Sequence, residues 1–169
     1  LNMDPNYKGQ RVYHDKDNFN EQRNIIIDIL NKYFPVTIVK HENYECDDII
    51  GYLANKYNES NNEVTIISSD TDFIQCISSN IKLYNPVRKK YLEKVEYDYV
   101  LWKALKGDSS DNIPGVKGIG DKGATKLINE IGGLEEIYKQ LKDKDSRLHT
   151  EFKKGIIEKL EASEDNAFM

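Results

Sequence analysis

Apolar positions recur with two different periods along the first half of this chain. From Asn18 to Phe34 they fall three or four residues apart, which predicts an amphipathic helix that Pro35 ends. A second stretch with the same period predicts a helix over about 46–57. Short apolar runs rich in β-branched residues lie between and after these helices, and they predict strands over 36–39, 64–67 and 81–84.

The second half of the chain keeps the helical period throughout. It predicts four helices, over roughly 95–106, 121–131, 134–141 and 147–161, with two adjacent glycines separating the middle pair. Alternating strands and helices followed by helices alone predict an α/β fold with a mostly parallel sheet flanked by helices. We expect two domains, a sheet-bearing domain over 1–94 and a helical domain over 95–169.

Acidic side chains are concentrated in three short segments, at 44–48, 69–72 and 107–112. The carboxylates in these segments belong to Glu45, Asp47, Asp48, Asp70, Asp72, Asp108 and Asp111. The first two segments follow predicted strands, and the carboxyl ends of parallel strands meet at one edge of a sheet. Since like charges repel, carboxylates gathered there need cations to be stable. The pattern therefore predicts a divalent-metal site at this edge.

The spacing within the clusters fits such a site. Asp70 and Asp72 are two residues apart, so on an extended backbone both carboxylates point the same way. Their hard oxygens favour Mg²⁺ or Mn²⁺ over zinc. Two such ions about 4 Å apart hold the attacking and leaving oxygens in phosphodiester cleavage.

A simpler explanation is that these acids cap helices or are solvated surface charges. It is the first explanation for Asp47, Asp48 or Asp111 taken singly, because acids favour helix starts. It does not explain why every cluster holds several acids. A calcium-binding loop fits poorly, because neither the segment at 70–72 nor that at 108–112 continues with the alternating ligands and glycine of such loops.

A glycine-rich turn over 115–120 follows the third cluster and leads into a helix that carries Lys122 and Lys126. Glycine lets backbone N–H groups approach a phosphate closely, and a helix start favours an anion. No strand leads into the turn, which excludes a dinucleotide-binding fingerprint, although a purely structural turn remains an alternative. Near the start of the chain, Lys8 and Arg11 either contact phosphate or are solvated.

Composition changes this picture only in part. With 38% hydrophobic and 31% charged residues, the chain is globular and can bury one core. The net charge of −5 argues against a nucleic-acid partner, but discounting the clustered carboxylates reverses the balance of acids and bases. Cys46 and Cys76 lack metal-type spacing and are expected to be reduced structural thiols. No apolar run approaches the ~18 residues of a membrane span, so no membrane partner is expected.

Taken together and in order, these segments resemble the 5′-nuclease superfamily, which includes the bacteriophage flap endonucleases and the 5′–3′ exonuclease domain of bacterial DNA polymerase I. The run Glu45–Asp48 is similar to the Glu-Ala-Asp-Asp motif of that family, with Cys in place of Ala. Ser69–Asp72 resembles its next metal motif. The run Gly107–Gly120 is similar to its third acidic motif and helix-three-turn-helix, and Tyr7–Arg11 resembles the basic segment that enters its helical arch.

The resemblance implies a PIN-like core with an appended helix-three-turn-helix module. It implies ligands for a first metal ion at Glu45, Asp47 and Asp48, and for a second at Asp70, Asp72, Asp108 and Asp111. It also implies that Lys8 and Arg11 orient the scissile phosphate and stabilise charge in the transition state. Duplex phosphates would be held around the glycine turn, by Lys117, Gly118, Ile119, Gly120, Lys122 and Lys126.

The resemblance further implies hydrolysis of DNA at a 5′ single-stranded flap or a 5′ end, with two Mg²⁺ or Mn²⁺ ions and possible K⁺ at the helix-three-turn-helix. It implies a monomer in the cytoplasm of a bacterial or phage-infected cell, serving DNA replication or repair. The family also has two Asp-bearing strands, which we expect before Leu1. The PIN-like sheet should then be incomplete and the segment alone inactive or impaired. Open alternatives are a non-catalytic module that binds branched DNA and a PIN-type ribonuclease.

Overall fold

The computed structural model describes residues 16–168, with side chains from residue 17 onward. These residues divide into two compact units. We call the part over 16–93 the α/β unit and the part over 94–168 the helical unit.

The α/β unit contains two long helices, a short 3-10 helix and a three-stranded sheet. In chain order these are α1 (Lys16–Tyr33), α2 (Cys46–Glu59), β1 (Val64–Ile67), the 3-10 helix (Thr71–Cys76), β2 (Ile81–Asn85) and β3 (Lys90–Leu92). The strand order is β1-β2-β3. β1 runs parallel to β2 with Val64 opposite Ile81, and β3 runs antiparallel to β2 with Leu92 opposite Leu83.

The core of the α/β unit lies between one face of the sheet and two of the helices, α2 and the 3-10 helix. Side chains alternate along β2, so Ile81 and Leu83 point to the same face, and both are fully buried. They join Ala54 of α2, Ile66 of β1 and Phe73 of the 3-10 helix in one buried cluster. This packing fixes the start of the 3-10 helix, where the second acidic cluster lies, against the end of β1.

One expectation for this unit needs correction. The backbone over 36–39 is not a strand, and Val36, Ile38 and Val39 are exposed. A strand must pair its backbone N–H and C=O groups, and no strand among the described residues lies beside this segment to pair with it. The amphipathic helix over 18–34 forms as α1, but Ile25 and Ile26 on its apolar face are each more than half exposed in the described chain.

The helical unit contains six helices among its described residues. They are α3 (Tyr99–Lys106), α4 (Asp121–Glu130), α5 (Leu134–Lys142), α6 (Arg147–Glu151), α7 (Lys154–Glu161) and α8 (Glu164–Ala167). The single helix predicted over 147–161 is therefore two helices. The break lies at Phe152, whose backbone is extended and whose side chain is buried, so its burial outweighs the helical period of the sequence.

Fully buried leucines and isoleucines from most of these helices form the core of the helical unit. They are Leu105, Leu127, Ile137, Leu148 and Leu160. α3 packs against α4, and α5 packs against α6 and α7. The loop between α3 and α4 contributes buried side chains of its own, from Val116 and Ile119, so this loop is part of the core and is held in place by it. No helix among residues 16–168 is both long and apolar enough to cross a membrane.

Candidate metal centre and phosphate-binding turn

The third acidic cluster lies on a loop between α3 and α4 that is closed by hydrogen bonds. Asp108 and Ile113 form an antiparallel bridge, in which each N–H donates to the carbonyl of the other at 2.8 Å. The N–H of Val116 then donates to the carbonyl of Leu105 at 2.8 Å. The loop over 109–112 is therefore tied at its base, and its acidic side chains are carried on a fixed backbone.

Two glycines allow the base of this loop to close, because their backbones lie in direct contact with no room for a side chain. Gly107 has φ +82° and Gly115 has φ +58°, values in the left-handed region that favour glycine. A Cβ on Gly115 would lie 2.3 Å from the nitrogen of Gly107 and 2.6 Å from its Cα. A Cβ on Gly107 would lie 2.7 Å from the carbonyl oxygens of Ile113 and Pro114. The two glycines that flank the acidic segment are thus required by backbone contact.

The Asp108 carboxylate is held at both oxygens. Its Oδ1 accepts hydrogen bonds from the N–H of Ser110 at 2.8 Å and from the Ser110 hydroxyl at 2.5 Å. Its Oδ2 accepts a hydrogen bond from the ammonium of Lys103 on α3. Burial by itself raises the pKa of Asp108, but the hydrogen bonds from Lys103 and Ser110 outweigh it and lower the pKa to about 2. Asp108 is therefore an anion at neutral pH.

Asp111 completes a close pair of acids on the same loop. One carboxylate oxygen of Asp108 and one of Asp111 lie within 4.8 Å of each other, and both residues are half-buried. Oxygen ligands lie about 2.0–2.6 Å from Mg²⁺ or Ca²⁺, so two ligands of one ion are separated by up to about 5 Å. The pair therefore has the chemistry and the spacing that a hard divalent cation requires.

The acids of the α/β unit lie at the starts of two helices. At the start of α2, the Asp48 carboxylate accepts a hydrogen bond from the N–H of Glu45 at 3.1 Å. At the start of the 3-10 helix, the Asp70 carboxylate accepts one from the N–H of Asp72 at 2.9 Å. Asp48 and Asp70 thus have capping roles. Within the described part of this unit, no three His, Cys, Asp or Glu side chains bring ligand atoms within 4.8 Å of one another.

Asn85 is a supporting residue that the sequence analysis missed. It ends β2 with only 2% of its surface exposed. Its Nδ2 donates to the carbonyl of Ser69 at 3.3 Å, and its Oδ1 accepts from the N–H groups of Val87 and Arg88 at 3.0 and 2.9 Å. Asn85 therefore holds the segment that leads into Asp70. The available signal was a polar amide at the end of a buried strand.

The glycine-rich turn brings together part of the predicted phosphate site. Gly118 has φ +84°, and the N–H of the buried Ile119 donates to the carbonyl of Val116 at 3.0 Å. Lys117 and Lys122 are exposed and form no salt bridge with another described residue. They leave positive charge uncompensated beside the turn and beside Gly120, the residue at which α4 starts.

Three further basic residues were predicted to contact phosphate. The Lys126 ammonium lies 3.8 Å from the Glu130 carboxylate and 4.6 Å from the centre of the Phe152 ring, so its charge is already engaged. Lys8 and Arg11 lie outside the described residues. Their roles, like those of the other predicted site residues, stay predictions.

Family profiles match the chain over its whole length. The profile described as the N-terminal resolvase-like domain of 5′-3′ exonucleases matches residues 1–104. The profile described as their C-terminal SAM fold matches residues 96–169. Together they confirm the fold class predicted from the sequence, a small sheet with flanking helices followed by a helical region.

The chain is also similar in sequence to individual DNA polymerase I and 5′-3′ exonuclease proteins. DNA polymerase I of Caldicellulosiruptor bescii is 42% identical over 151 residues, covering 80% of this chain and 17% of the relative. DNA polymerase I of Lactococcus lactis is 35% identical over 185 residues, covering 99% and 20%. The 5′-3′ exonuclease of Aquifex aeolicus is 32% identical over 151 residues, covering 82% and 50%. The chain thus spans half or less of the length of these relatives.

Solved structures give the same fold. The T5 5′-exonuclease with bound zinc ions superposes with a TM-score of 0.77 at 25% identity, covering 97% of this chain and 65% of that one. A bacteriophage T5 flap endonuclease in a pseudo-enzyme–product complex with DNA and metal ions gives a TM-score of 0.74 at 23% identity, which supports the fold alone. With both family profiles matched, the chain belongs to the 5′-3′ exonuclease family.

Proposed function

We propose that the protein is a structure-specific 5′ nuclease that hydrolyses DNA phosphodiesters at a 5′ single-stranded flap or a 5′ end. The observation that carries this proposal is the Asp108–Asp111 pair, two half-buried carboxylates within 4.8 Å of each other on a loop fixed by backbone contacts. Such a pair is suited to a hard divalent cation.

The metal ligands divide into two groups. We assign Glu45, Asp47 and Asp48 to a first Mg²⁺ or Mn²⁺ ion, directly or through water, and Asp70, Asp72, Asp108 and Asp111 to a second. Bound metal supplies a Lewis acid for the phosphoryl oxygens and lowers the pKa of an attacking water. The contribution of the chain is to hold the carboxylates. Ser110 orients Asp108, and Asn85 holds the segment before Asp70.

The glycine turn and the start of α4 form the proposed contact with duplex phosphates. The N–H groups of Gly118 and Gly120 make no hydrogen bond to another described residue, and Lys117 and Lys122 supply positive charge beside them. Amide donors at a helix start bind phosphate well. Within this proposal Ile119 anchors the turn through its buried side chain, and Lys126 contributes only if it leaves Glu130. K⁺ binding at the turn carbonyls belongs to the same proposal.

The remaining roles rest on the family resemblance. Lys8 and Arg11 would orient the scissile phosphate. The enzyme would act as a monomer in the cytoplasm of a bacterial or phage-infected cell.

The test is cleavage of end-labelled DNA by the whole protein that carries this sequence. We expect a 5′-flap duplex to be cut near the junction with Mg²⁺ or Mn²⁺ and to remain intact with EDTA. A matched RNA flap and a blunt duplex without a 5′ single strand should be cut much more slowly. Equal cleavage of the RNA flap would favour the PIN-type ribonuclease, and cleavage in EDTA would contradict the metal assignment.

A non-catalytic DNA-binding module is the second candidate. The observation in its favour is that Lys117 and Lys122, beside the glycine turn, form no salt bridge with another residue that the structure describes. This positive charge does not depend on whether the acids bind metal. In that case duplex binding would survive Asp70→Asn and Asp108→Asn, weaken with Lys117→Met and Lys122→Met, and occur without any cleavage. Because phosphate contacts release counterions, loss of either lysine should also reduce the salt dependence of binding.

A further inference from the structure

Lys159 links the far end of the helical unit to the glycine turn. Its Nζ donates a hydrogen bond to the carbonyl of Gly118 at 2.9 Å, although the two residues are 41 positions apart. Lys159 lies on α7, which is anchored by the buried side chains of Ile157 and Leu160. The lysine therefore reaches the turn from a fixed helix.

The Lys159 side chain also lies across the bare face of Gly118. A Cβ on Gly118 would lie 3.0 Å from Cε of Lys159 and 3.1 Å from its Nζ. Gly118 has φ +84°, so glycine is favoured by backbone conformation as well. The absent side chain at 118 thus allows both the turn and the approach of the ammonium.

The hydrogen bond fixes a peptide plane that matters for the turn. The Gly118 carbonyl and the Ile119 N–H belong to the same planar peptide group. At one edge of this group the Gly118 carbonyl accepts a hydrogen bond from Lys159. At the opposite edge the Ile119 N–H donates to the carbonyl of Val116 at 3.0 Å. Because both edges of this peptide group are hydrogen-bonded, its orientation is fixed. The N–H groups of Gly118 and Gly120, which belong to the peptide groups before and after it, are then held in a fixed direction.

We propose that Lys159 is a positioning residue for the phosphate-binding turn. It holds the Gly118–Ile119 peptide so that the neighbouring amides meet a duplex phosphate, and it adds a third exposed ammonium to those of Lys117 and Lys122. An ammonium has three donors, so one hydrogen bond to a carbonyl leaves two for a phosphate oxygen or water. This inference rests on the proposed function of the turn in holding DNA.

The first test is amide hydrogen exchange of the whole chain. In Lys159→Met, exchange of the Ile119 amide should accelerate about fivefold, as expected for the loss of one hydrogen bond of typical net strength. Exchange of the core Leu127 amide should stay unchanged. Lys159→Arg, which keeps a donor and the charge, should restore most of the protection. Lys154→Met, which removes an exposed lysine from the same helix, is the control and should leave Ile119 unaffected.

The second test is affinity for a blunt DNA duplex, measured by fluorescence anisotropy. Lys159→Met should weaken binding about five- to tenfold, Lys159→Arg should recover it, and Lys154→Met should change it less than twofold. Unchanged Ile119 exchange in Lys159→Met overturns the positioning role, and so does unchanged affinity where Lys122→Met weakens binding. If the unaltered chain binds no duplex, the proposed DNA interface fails, while exchange still decides whether Lys159 fixes the turn.

Discussion

The ammonium of Lys103 is hydrogen-bonded to the carboxylate of Asp108, five residues further along the chain. The Lys103 side chain is 23% exposed and that of Asp108 is 12% exposed, so the pair is screened from most of the solvent. A cation contributed by the chain thus neutralises one of the proposed metal ligands. A metal ion that binds at Asp108 must share its carboxylate with this ammonium or displace it.

Lys103→Met should therefore change stability and metal affinity in opposite directions. Without metal, the half-buried Asp108 loses its counter-charge, so the free energy of unfolding should fall by about 2 kcal/mol. The affinity for Mn²⁺ should rise several-fold because no ammonium competes with it. Urea unfolding and isothermal titration with Mn²⁺ measure the two effects.

The control for this pair is Lys154→Met. Lys154 forms an exposed ion pair with Glu158 at 3.7 Å, so its loss should cost less than about 0.5 kcal/mol and leave Mn²⁺ affinity unchanged. Weaker Mn²⁺ binding in Lys103→Met would show that the ammonium supports the metal site, contrary to our account.

Gly115→Ala should strongly destabilise the helical unit. The new Cβ would lie 2.3 Å from the backbone nitrogen of Gly107, where nothing flexible can move aside. We expect a loss of more than about 3 kcal/mol, measured by urea unfolding with the fluorescence of Trp102 on α3. Gly155→Ala on α7 is the matched control, because no atom lies within 4 Å of its added Cβ. Helix propensity should make that variant about 0.5–1 kcal/mol more stable.

Tyr138 should make the helical unit sensitive to alkaline pH. Its hydroxyl is buried without a hydrogen-bond partner among the described residues. Burial, with a smaller effect from the charge of Glu164, raises its pKa to about 12 from the ordinary value of 10.0. The folded-state pKa is the higher one, so this contribution to stability is complete below pH 10 and is lost as the pH rises toward 12.

Tyr138→Phe tests this alkaline effect. The variant should be as stable as the original or about 1 kcal/mol more stable at pH 8, because it removes an unsatisfied buried hydroxyl. Between pH 9 and pH 12, the free energy of unfolding of the variant should fall by about 2 kcal/mol less than that of the original chain. Urea unfolding followed by circular dichroism measures both. The exposed Tyr91, changed to Phe, should give the original pH profile, and an identical alkaline loss in Tyr138→Phe would contradict the assignment.

Asn85→Ala should loosen the segment before Asp70. It removes three hydrogen bonds at a position only 2% exposed, one of them to the carbonyl of Ser69. We expect the free energy of unfolding to fall by about 2–3 kcal/mol and hydrogen exchange of the Asp70 amide to accelerate. Asn55→Ala, on the exposed side of α2, should do neither. A stability loss without faster exchange of the Asp70 amide would show that Asn85 does not hold the segment before Asp70.

The elements that follow from local pattern were predicted well. The helices at α1 to α5 and the strands β1 and β2 have clear hydrophobic periods and clear end signals, and the acids at 70 and 72 lie just after β1, as expected. The missed features depend on pairing and packing. The run at 36–39 lacks a described strand to pair with, and β3 is specified by its antiparallel partner β2, not by its own three residues.

Site residues could be predicted where they are close together in the sequence. They could not be predicted where only the folded structure brings them together. Asp108 and Asp111 belong to one acidic run, and the loop indeed brings them close together. Other supporting residues act through contacts that depend on the fold. Lys103 reaches Asp108 from α3, Asn85 reaches the Ser69 carbonyl from the end of β2, and Lys159 reaches the Gly118 carbonyl from α7. No local pattern marks a lysine that reaches a carbonyl 41 positions away.

The central claim is that the acids on the loop between α3 and α4 hold metal for DNA cleavage. The most direct measurement is the single-turnover rate at which the whole protein cuts a 5′-flap duplex in Mg²⁺, comparing Asp111→Asn with Asp145→Asn. Both substitutions remove one negative charge from the helical unit. We predict that Asp111→Asn slows cleavage about 100-fold or more while Asp145→Asn stays within twofold of the original. Equal rates for the two variants would contradict the account.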